Sequence, residues 1–353
     1  MTLPEPFAAH FRRQAQACDA LGSPFTGRLC RLLADLLDDA TATGRRVLAW
    51  EGDPRADALA LRLCGGLHRL VIEGRDPPLA AAYPPNEAND SALSAAVAGA
   101  LKRHDAALCA GLASAPQTNE IARSAMLLPG FLAAARETGR PLALAEIGAS
   151  GGLNLLFDRF CYAYGDERWG DPASPVQLAP EVRGTTPVFE GALSIVSRDG
   201  CDIAPVDARS QEGKARLRSY VWPDQPLRLR RLDGALQLAQ KHRFSLHEED
   251  AAAFVARQLS RRVPGTTFVL FHSIMWQYLP RQTRDAILDA MAQAGKAATP
   301  DAPLAHLRME PQELADPYAT LSLTLWPSST YGGGETRHLA KCDYHGRWIE
   351  WTA

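Results

Sequence analysis

A cluster of small residues follows an acidic side chain at the end of an apolar run. Residues 146–154 read EIGASGGLN and come directly after LALA. Small residues at a strand-to-helix turn let the backbone approach a ligand closely, and the start of a helix offers N–H groups with partial positive charge. The pattern predicts a site for a ligand with hydroxyl or amine donors and a carboxylate. The residues expected to line it are Glu146, Gly148, Ser150, Gly152 and Asn154.

This glycine cluster has several competing interpretations. A dinucleotide site requires G-x-G-x-x-G, but Ser150 replaces the second glycine and Leu153 the third. An NAD-dependent dehydrogenase is therefore only weakly indicated. A glycine turn needed for packing alone, or a module that binds a nucleoside or an anion without chemistry, also fits the pattern. The sequence leaves these alternatives open.

A serine hydrolase is the more serious alternative. Its nucleophile elbow requires G-x-S-x-G on a strand-to-helix turn, and Gly148, Ser150 and Gly152 match this motif. Asp343 and His345 follow in the order that such hydrolases use. That fold needs several strands before its nucleophile, however, whereas the residues before the cluster have a helical pattern. We therefore expect Ser150 to be a turn residue and not a nucleophile.

A second group of polar and aromatic residues follows a later apolar run. Residues 271–280 read FHSIMWQYLP. Ligands of open α/β sheets bind outside the carboxyl ends of the strands, so we expect these side chains near a ligand. His272 is the candidate base, and Tyr278 is a second catalytic candidate. Trp276 and Gln277 are candidates for substrate contact, with Trp276 and Tyr278 as aromatic walls or, alternatively, as core residues.

Three further candidates precede the run LALAEI. Asn119, Glu120 and Arg123 lie on the stretch that leads toward this predicted strand. A helix in that position can fold over a ligand cleft, so we assign these residues to substrate binding. The structural alternative is that Thr118 caps the helix and Glu120 stabilises its positive end.

Hydrophobic periodicity divides the chain into a helical domain over 1–138 and an α/β domain over 139–353. In the first, apolar residues recur at intervals of three and four. Helices are expected at Phe25–Leu37, Ala56–Ile72, Ser91–Leu112 and Thr118–Thr138. In the second, strands and helices alternate, which predicts a mainly parallel sheet.

The α/β domain has roughly seven predicted strands, and a hairpin with the connection Tyr331–Gly334 joins the last two. The strands are expected at Leu142–Ile147, Leu193–Ser197, Arg243–Leu246, Thr266–Phe271, Pro303–Met309, Thr320–Trp326 and Thr336–Cys342. The helices are expected at Asn154–Phe160, Gln211–Tyr220, Leu227–Lys241, Ala251–Leu259 and Pro280–Ala294.

Composition narrows the class of protein. The chain has 353 residues, and 38 Lys and Arg against 40 Asp and Glu give a formal net charge of −2. This balance argues against a nucleic-acid binder, which carries a basic excess. No apolar run approaches the roughly 20 residues that cross a membrane, and the first residues lack a signal-peptide core. Seven scattered cysteines without a CxxC pair favour a cytoplasmic protein without a metal site. The oligomeric state is left open.

From Pro141 onward the motif E-x-G-x-x-G and the strand pattern resemble class I S-adenosylmethionine-dependent methyltransferases. The resemblance implies a methyltransferase-like Rossmann sheet of about seven strands with a C-terminal antiparallel hairpin, and S-adenosylmethionine at the glycine cluster. It also implies an acidic residue after the second strand for the ribose hydroxyls, and Asp199 and Asp202 are the candidates. Asp250, at the start of a later helix, is in the position that holds the adenine amino group.

A closer resemblance extends over nearly the whole chain. The segments QTNE, EIGASGGLNLLFDRF, SPV, VWP, FHSIMWQYLP and HGRWIEW are similar to the bacterial domain of unknown function 2332 family, which implies no activity. On the resemblance to class I methyltransferases, we predict an S-adenosylmethionine-dependent methyltransferase that acts on an unidentified small-molecule acceptor. A serine hydrolase and a non-catalytic nucleoside-binding module are the alternatives. We expect the helical N-terminal region to cover the cleft and to help select the acceptor.

Overall fold

The computed structural model describes residues 5–313, 315–327, 334 and 336–353. The helices are α1 (Glu5–Ala20), α2 (Pro24–Leu36), α3 (Ala42–Leu48), α4 (Leu59–Ile72), α5 (Pro77–Ala81), α6 (Asp90–Arg103), α7 (Asp105–Gly111), α8 (Ser124–Thr138), α9 (Gln211–Ser219), α10 (Pro226–Lys241), α11 (Ala251–Ser260) and α12 (Arg281–Lys296). The strands are β1 (Leu142–Ile147), β2 (Cys161–Tyr164), β3 (Glu167–Trp169), β4 (Gln177–Leu178), β5 (Glu181–Gly184), β6 (Ile195–Asp202), β7 (Ser245–Glu248), β8 (Thr267–Ser273), β9 (Leu304–Glu310), β10 (Ala319–Trp326), β11 (Thr336–Cys342) and β12 (Trp348–Trp351).

The chain forms two compact units. The first comprises Met1–Thr118 with Ser210–Leu229, and the second comprises Asn119–Arg209 with Arg230–Ala353. The first unit is helical, and its helices α1 to α7 bury one shared apolar core. A polar side chain accepts the N–H group three residues further on at the start of α2, α3, α5 and α6, which satisfies a donor that the helix itself leaves unpaired.

Helix boundaries differ from the predicted ones where side chains hydrogen-bond to the backbone. The predicted helix Ser91–Leu112 is interrupted between α6 and α7. At this break the carboxylate of Asp105 accepts the N–H groups of Ala42 and Thr43 at 2.6 and 2.7 Å and so supports the start of α3. Helices α1, α3 and α5 are additional to the predicted ones.

The second unit is built on a mixed, mainly parallel sheet. Within the described residues it has nine strands in the order β5-β12-β11-β10-β9-β8-β1-β6-β7. The five strands from β7 to β9 run parallel, whereas β10, β11 and β12 are each antiparallel to the preceding strand. A small separate sheet joins β3, β2 and β4. All seven predicted strands are present, but the sheet is wider than the expected seven.

The additional strands lie beyond the predicted hairpin. The antiparallel pair β10–β11 forms as expected, but β12 and then β5 extend the sheet past it. The predicted connection Tyr331–Gly334 lies outside the described residues except for Gly334. The predicted helix Asn154–Phe160 is a 3₁₀ helix over Leu153–Arg159. The other four predicted helices of this region correspond to α9, α10, α11 and α12.

The two faces of the sheet have different coverings. Helix α8 packs on β9 and β10, so closely that a methyl group on Gly130 would lie 2.4 Å from the side chain of Leu307. A second core joins β1 and β8 to α11 and α12, with Phe254, Leu270 and Ile287 among its buried members. The central strands β1 and β8 are therefore buried on both faces along most of their length, as expected for parallel strands that helices cover on both sides.

Candidate functional site

The order of the parallel strands reverses at β1. Strands β6 and β7 lie on one side of β1, and β8 and β9 lie on the other. Ligands of open α/β sheets bind outside the carboxyl ends of the strands at this reversal point. Glu146 stands near the end of β1, Asp202 ends β6 and Ser273 ends β8. The structure thus brings the two polar segments of the sequence to one edge of the sheet.

Two residues other than glycine adopt a left-handed backbone at this edge. The φ angle is 54° at Ser150 and 53° at Ile274, a region that is costly for L-residues and most of all for β-branched ones. Hydrogen bonds of 3.0 Å hold both turns, from the Val206 N–H to the Ser150 carbonyl and from the Ile274 N–H to the Met309 carbonyl. Strained backbone that is retained at two neighbouring strand ends indicates a functional site.

Two side chains anchor the glycine cluster through its N–H groups. Asn119 Oδ1 accepts the N–H groups of Gly151 and Leu153, both at 3.2 Å. Asp202 Oδ2 accepts the N–H of Ser150 at 2.9 Å. The predicted substrate residue Asn119 and the predicted ribose residue Asp202 therefore both lie at the cluster, where they fix its conformation.

The backbone uses more of the donors in the cluster. The N–H of Ala149 donates to the Cys201 carbonyl at 2.9 Å, and the N–H of Gly152 donates to the Ala149 carbonyl at 2.7 Å. Gly148 has a φ angle of +66°, and a methyl group there would lie 2.9 Å from Met275. A dinucleotide loop cradles phosphate with unpaired N–H groups. In this loop these N–H groups already donate to acceptors within the protein, so the loop lacks the free donors that a phosphate would need.

Glu146 offers acceptors instead. Its side chain is 3% exposed, and its Oε2 hydrogen-bonds to no group among the described residues. Burial raises the pKa of Glu146 well above its ordinary value, the charge of Asp202 adds to this effect, and Arg123 opposes it. Buried polar atoms normally have a hydrogen-bond partner. An enclosed carboxyl oxygen without one therefore indicates a ligand that donates.

The two acidic candidates of β6 occupy different positions. Asp199 lies inside the strand opposite Ala145 of β1, and its Oδ1 is 3.4 Å from Nε2 of His247. Asp202 is at the carboxyl end of the strand, where it holds the glycine cluster. Strand β6 extends further than the predicted Leu193–Ser197, because its polar end pairs with strands on both sides.

The other predicted residues before β1 lie near the same edge. Asn154 accepts the Ser124 hydroxyl at 2.9 Å through Oδ1, and its Nδ2 donates to the Glu120 carbonyl at 3.4 Å. Arg123 Nη1 donates to the carbonyl of Ser273, at the end of β8, at 3.3 Å. Asn154 thus connects the start of α8 to the 3₁₀ helix after the glycine cluster, and Arg123 brings a positive charge to the strand ends.

Asp250 caps α11. Its Oδ1 accepts the N–H groups of Ala252 and Ala253 at 2.9 and 3.2 Å. The side chain is exposed at the carboxyl end of β7, so the capping role and contact with a ligand are compatible.

His272 belongs to a buried polar cluster under an indole ring. Its Nδ1 lies 2.7 Å from Oε1 of Glu310, and its Nε2 lies 3.1 Å from Nε2 of His306. The His272 ring stacks on Trp276 with centroids 4.9 Å apart and is fully buried. Burial lowers the pKa of His306 well below its ordinary value, and the charges of His272 and Arg308 lower it further.

The residues after His272 become progressively more exposed. Trp276 and Gln277 are half-buried, and Tyr278 is 76% exposed. These three residues form a 3₁₀ turn after β8. Tyr278 therefore does not fill the core, and its exposed ring is available for contact with a bound molecule.

Glu310 is a site residue that sequence reasoning missed. Besides His272, its Oε1 accepts the N–H groups of Met275 and Trp276 at 3.1 and 3.3 Å. Glu310 thus holds the turn whose Met275 side chain lies against Gly148. The available signal was an acidic residue at the end of a buried strand, which is the same signal that identified Glu146.

The structure gives Ser150 no catalytic base. Its Oγ is buried and hydrogen-bonds to no group among the described residues. The carboxylate of Asp343 accepts the Arg347 guanidinium at 2.7 and 2.9 Å, and it accepts the backbone N–H of His345 at 3.0 Å. The His345 ring nitrogen instead lies 3.8 Å from Glu120. A hydrolase needs serine, histidine and carboxylate in one relay, which is not formed here.

Ser150→Gly is expected to stabilise the protein by about 0.5–1 kcal/mol, because glycine adopts the left-handed region without strain. Urea unfolding measures this gain, and Ser150→Ala, which keeps the strain, is the control.

A fluorophosphonate probe should leave the protein unlabelled. Stoichiometric labelling that disappears in Ser150→Ala would establish the hydrolase instead.

Among the residues that the structure describes, neither a cluster of metal ligands nor a membrane-spanning helix accompanies this site. Across residues 5–313, 315–327, 334 and 336–353, no group of three or more His, Cys, Asp or Glu side chains could hold a metal ion. None of the helices in the same ranges combines the length and the apolar content that crossing a membrane requires.

The fold and the site define an α/β protein whose five parallel strands have the order β7-β6-β1-β8-β9, with polar side chains at the carboxyl ends of the strands where this order reverses. The chain belongs to the family described as an uncharacterized protein conserved in bacteria (DUF2332), whose family model matches residues 8–351. No curated protein and no solved structure is significantly similar to the chain.

Proposed function

We propose that the ligand edge of β1, β6 and β8 binds S-adenosylmethionine and that the protein is a methyltransferase for a small-molecule acceptor. One observation carries the proposal. The Oε2 atom of Glu146 is buried and has no hydrogen-bond partner in the part of the chain that the structure describes, and it lies beside a glycine cluster whose N–H groups are largely used. Such a site offers acceptors and few donors. It suits a ligand with an ammonium group, hydroxyls and a positive sulfur better than it suits a pyrophosphate.

The residues at the edge fit the parts of this cofactor. Glu146 would accept from the amino group, and Asp202, at the end of β6, would accept from the ribose hydroxyls. Asp250 would accept from the adenine amino group. When bound, the cofactor supplies a methyl group on a positively charged sulfur. The carboxylates of this edge attract that cation, and Trp276 and Tyr278 provide aromatic faces for it.

His272 remains the proposed base for the acceptor. A carboxylate at Nδ1 favours the tautomer whose Nε2 accepts a proton, and Glu310 is so placed. Because Trp276 covers the ring and Nε2 lies 3.1 Å from Nε2 of His306, access of an acceptor to His272 requires a movement of Trp276 and release of the contact with His306. Gln277 and Arg123 remain proposed substrate contacts. That the helical N-terminal unit covers this edge stays a prediction.

Calorimetry should detect binding of S-adenosylmethionine and of its demethylated product, and ligand should raise the melting temperature by mass action. Gly148→Ala should weaken binding at least tenfold. The left-handed backbone at this position is strained for alanine, and the added methyl group would collide with Met275. Gly165→Ala is a matched control, since its φ of +61° is similar but its added methyl meets nothing within 4 Å. No heat and no melting shift at millimolar cofactor would refute the proposed function.

A further inference from the structure

A polar surface covers one face of the antiparallel strands β9, β10 and β11. Ser322 of β10 lies directly opposite Arg308 of β9 and His338 of β11, and Thr324 lies opposite Thr336. Residues that are paired across strands share a face. We call this the Arg308 surface. It comprises Arg308, Glu310, Ser322, Thr324, Thr336 and His338.

Arg308 is a partly buried cation that forms no ion pair with any residue that the structure describes. Its Nε is enclosed and hydrogen-bonds to no described group, while its Nη2 donates only to the Thr336 hydroxyl at 3.3 Å. Burial lowers the pKa of Arg308, and the charge of Glu310 opposes this effect. A desolvated guanidinium without a carboxylate or phosphate at its fork is costly. Such a group is normally retained where an anion satisfies it.

The neighbouring Arg337 shows the usual arrangement. Arg337 is on the opposite face of β11, because side chains alternate along a strand. It donates to the carboxylate of Glu137 on α8 at 2.7 Å. Two arginines on strands of one sheet thus differ in whether a carboxylate among the described residues pairs with the guanidinium.

Hydroxyl groups of Ser322, Thr324 and Thr336 lie on the same face of the sheet as the guanidinium. Ser322 Oγ lies 3.0 Å from Nδ1 of His338, and the hydroxyls of Thr324 and Thr336 lie 2.8 Å apart. Each hydroxyl can donate as well as accept. Ser322 and Thr324 are buried, whereas Thr336 and His338 are exposed. The surface therefore has a buried polar floor that opens to solvent at β11.

We propose that the Arg308 surface binds the anionic group of a small molecule, a carboxylate or a phosphate, with the guanidinium as a planar fork and the hydroxyls as additional donors. Strand β9 carries both Arg308 and Glu310, and Glu310 holds His272. The bound acid therefore lies near the proposed base. We assign this acid as the methyl acceptor. That assignment rests on the proposed function, whereas the binding of an anion to the Arg308 surface does not.

The test uses inorganic phosphate and succinate as probes, with chloride as the control at equal ionic strength. One or both probes should raise the melting temperature of the full chain by about 2–4 °C at tens of millimolar, and the effective probe tells phosphate from carboxylate. Arg308→Gln should abolish the shift and leave the ligand-free melting temperature equal or higher, because an unpaired charge has been removed. Arg337→Gln should retain the shift.

The outcomes separate this inference from the proposed function. Equal shifts in Arg308→Gln and in the wild type, or no shift with either probe in the wild type, would overturn the anion site. Arg308→Gln should still bind S-adenosylmethionine with a dissociation constant within twofold of the wild type. A protein that responds to the anion but never binds the cofactor would retain the Arg308 site and lose the methyltransferase.

Discussion

Glu146→Gln is expected to stabilise the ligand-free protein and at the same time to abolish its affinity for S-adenosylmethionine. Glutamine has nearly the same shape as glutamic acid but cannot ionise, so the cost of a charge in this enclosed position disappears. We expect the melting temperature at pH 8 to rise by about 2–4 °C, the shift that roughly 1 kcal/mol produces in a domain of about 150–250 residues. Affinity should fall because the carboxylate that attracts the cation is gone.

The stability difference between Glu146→Gln and the wild type should depend on pH with a definite sign. The pKa of Glu146 is raised in the folded protein, first by burial and then by Asp202. The stability that the protonated group contributes is therefore complete below its ordinary pKa of 4.5 and is lost as the pH rises through the folded pKa. The advantage of Glu146→Gln over the wild type should accordingly increase with pH. A cation at the site favours the carboxylate, so binding of the cofactor should release a proton.

Calorimetry in two buffers with different ionisation enthalpies measures that proton directly. Glu181→Gln is the control, because Arg183 lowers the pKa of Glu181 on the exposed edge strand β5. That variant should bind the cofactor normally and gain no stability at high pH. If Glu146→Gln bound the cofactor as the wild type does, Glu146 would have no role as an acceptor. If its stability were lower at every pH, the carboxyl would be a structural group.

The sheet could be predicted from the sequence where strands are buried on both faces. LALAEI and TFVLFHS are continuous apolar runs, and they form β1 and β8. Segments whose conformation depends on pairing were missed or shortened. The polar residues RDGCD look like a turn, but they complete β6 because β1 and β7 pair with them on both sides. The short strands β12 and β5 extend the sheet beyond the hairpin, so β12 depends on β11 for its partner and the edge strand β5 depends on β12.

The candidate site was predictable as a list of residue types but not as a set of contacts. Glu146, the glycine cluster and Asp202 carry their signal locally, as an acid at a strand end and small residues at a turn. The hydrogen bonds from Gly151 and Leu153 to Asn119 span 32 and 34 residues, and His272 and Glu310 are 38 residues apart. Such partners are chosen by strand order and register, which local patterns do not encode.

Glu310→Leu is expected to have the largest effect on stability, about 3–5 kcal/mol, because it removes the acceptor of several buried donors at once. Oε1 of Glu310 accepts from His272 and from the N–H groups of Met275 and Trp276. Without it the turn after β8 loses its anchor. Met275 lies against Gly148, so cofactor affinity should fall as well. Glu310→Gln keeps one acceptor oxygen and should lose only about 1 kcal/mol.

Urea unfolding followed by tryptophan fluorescence tests this ordering and also reports on the turn. The stacked pair His272–Trp276 has centroids 4.9 Å apart, so release of the turn should shift the emission of Trp276 toward the red in native buffer. Glu313→Leu, at an exposed position three residues further on, should change neither quantity. Unchanged emission together with a loss below 1 kcal/mol in Glu310→Leu would show that the turn is held by its own packing. The hydrogen bond from the Ile274 N–H to the Met309 carbonyl, together with the packing of the side chains, would then be sufficient to hold the left-handed backbone at Ile274.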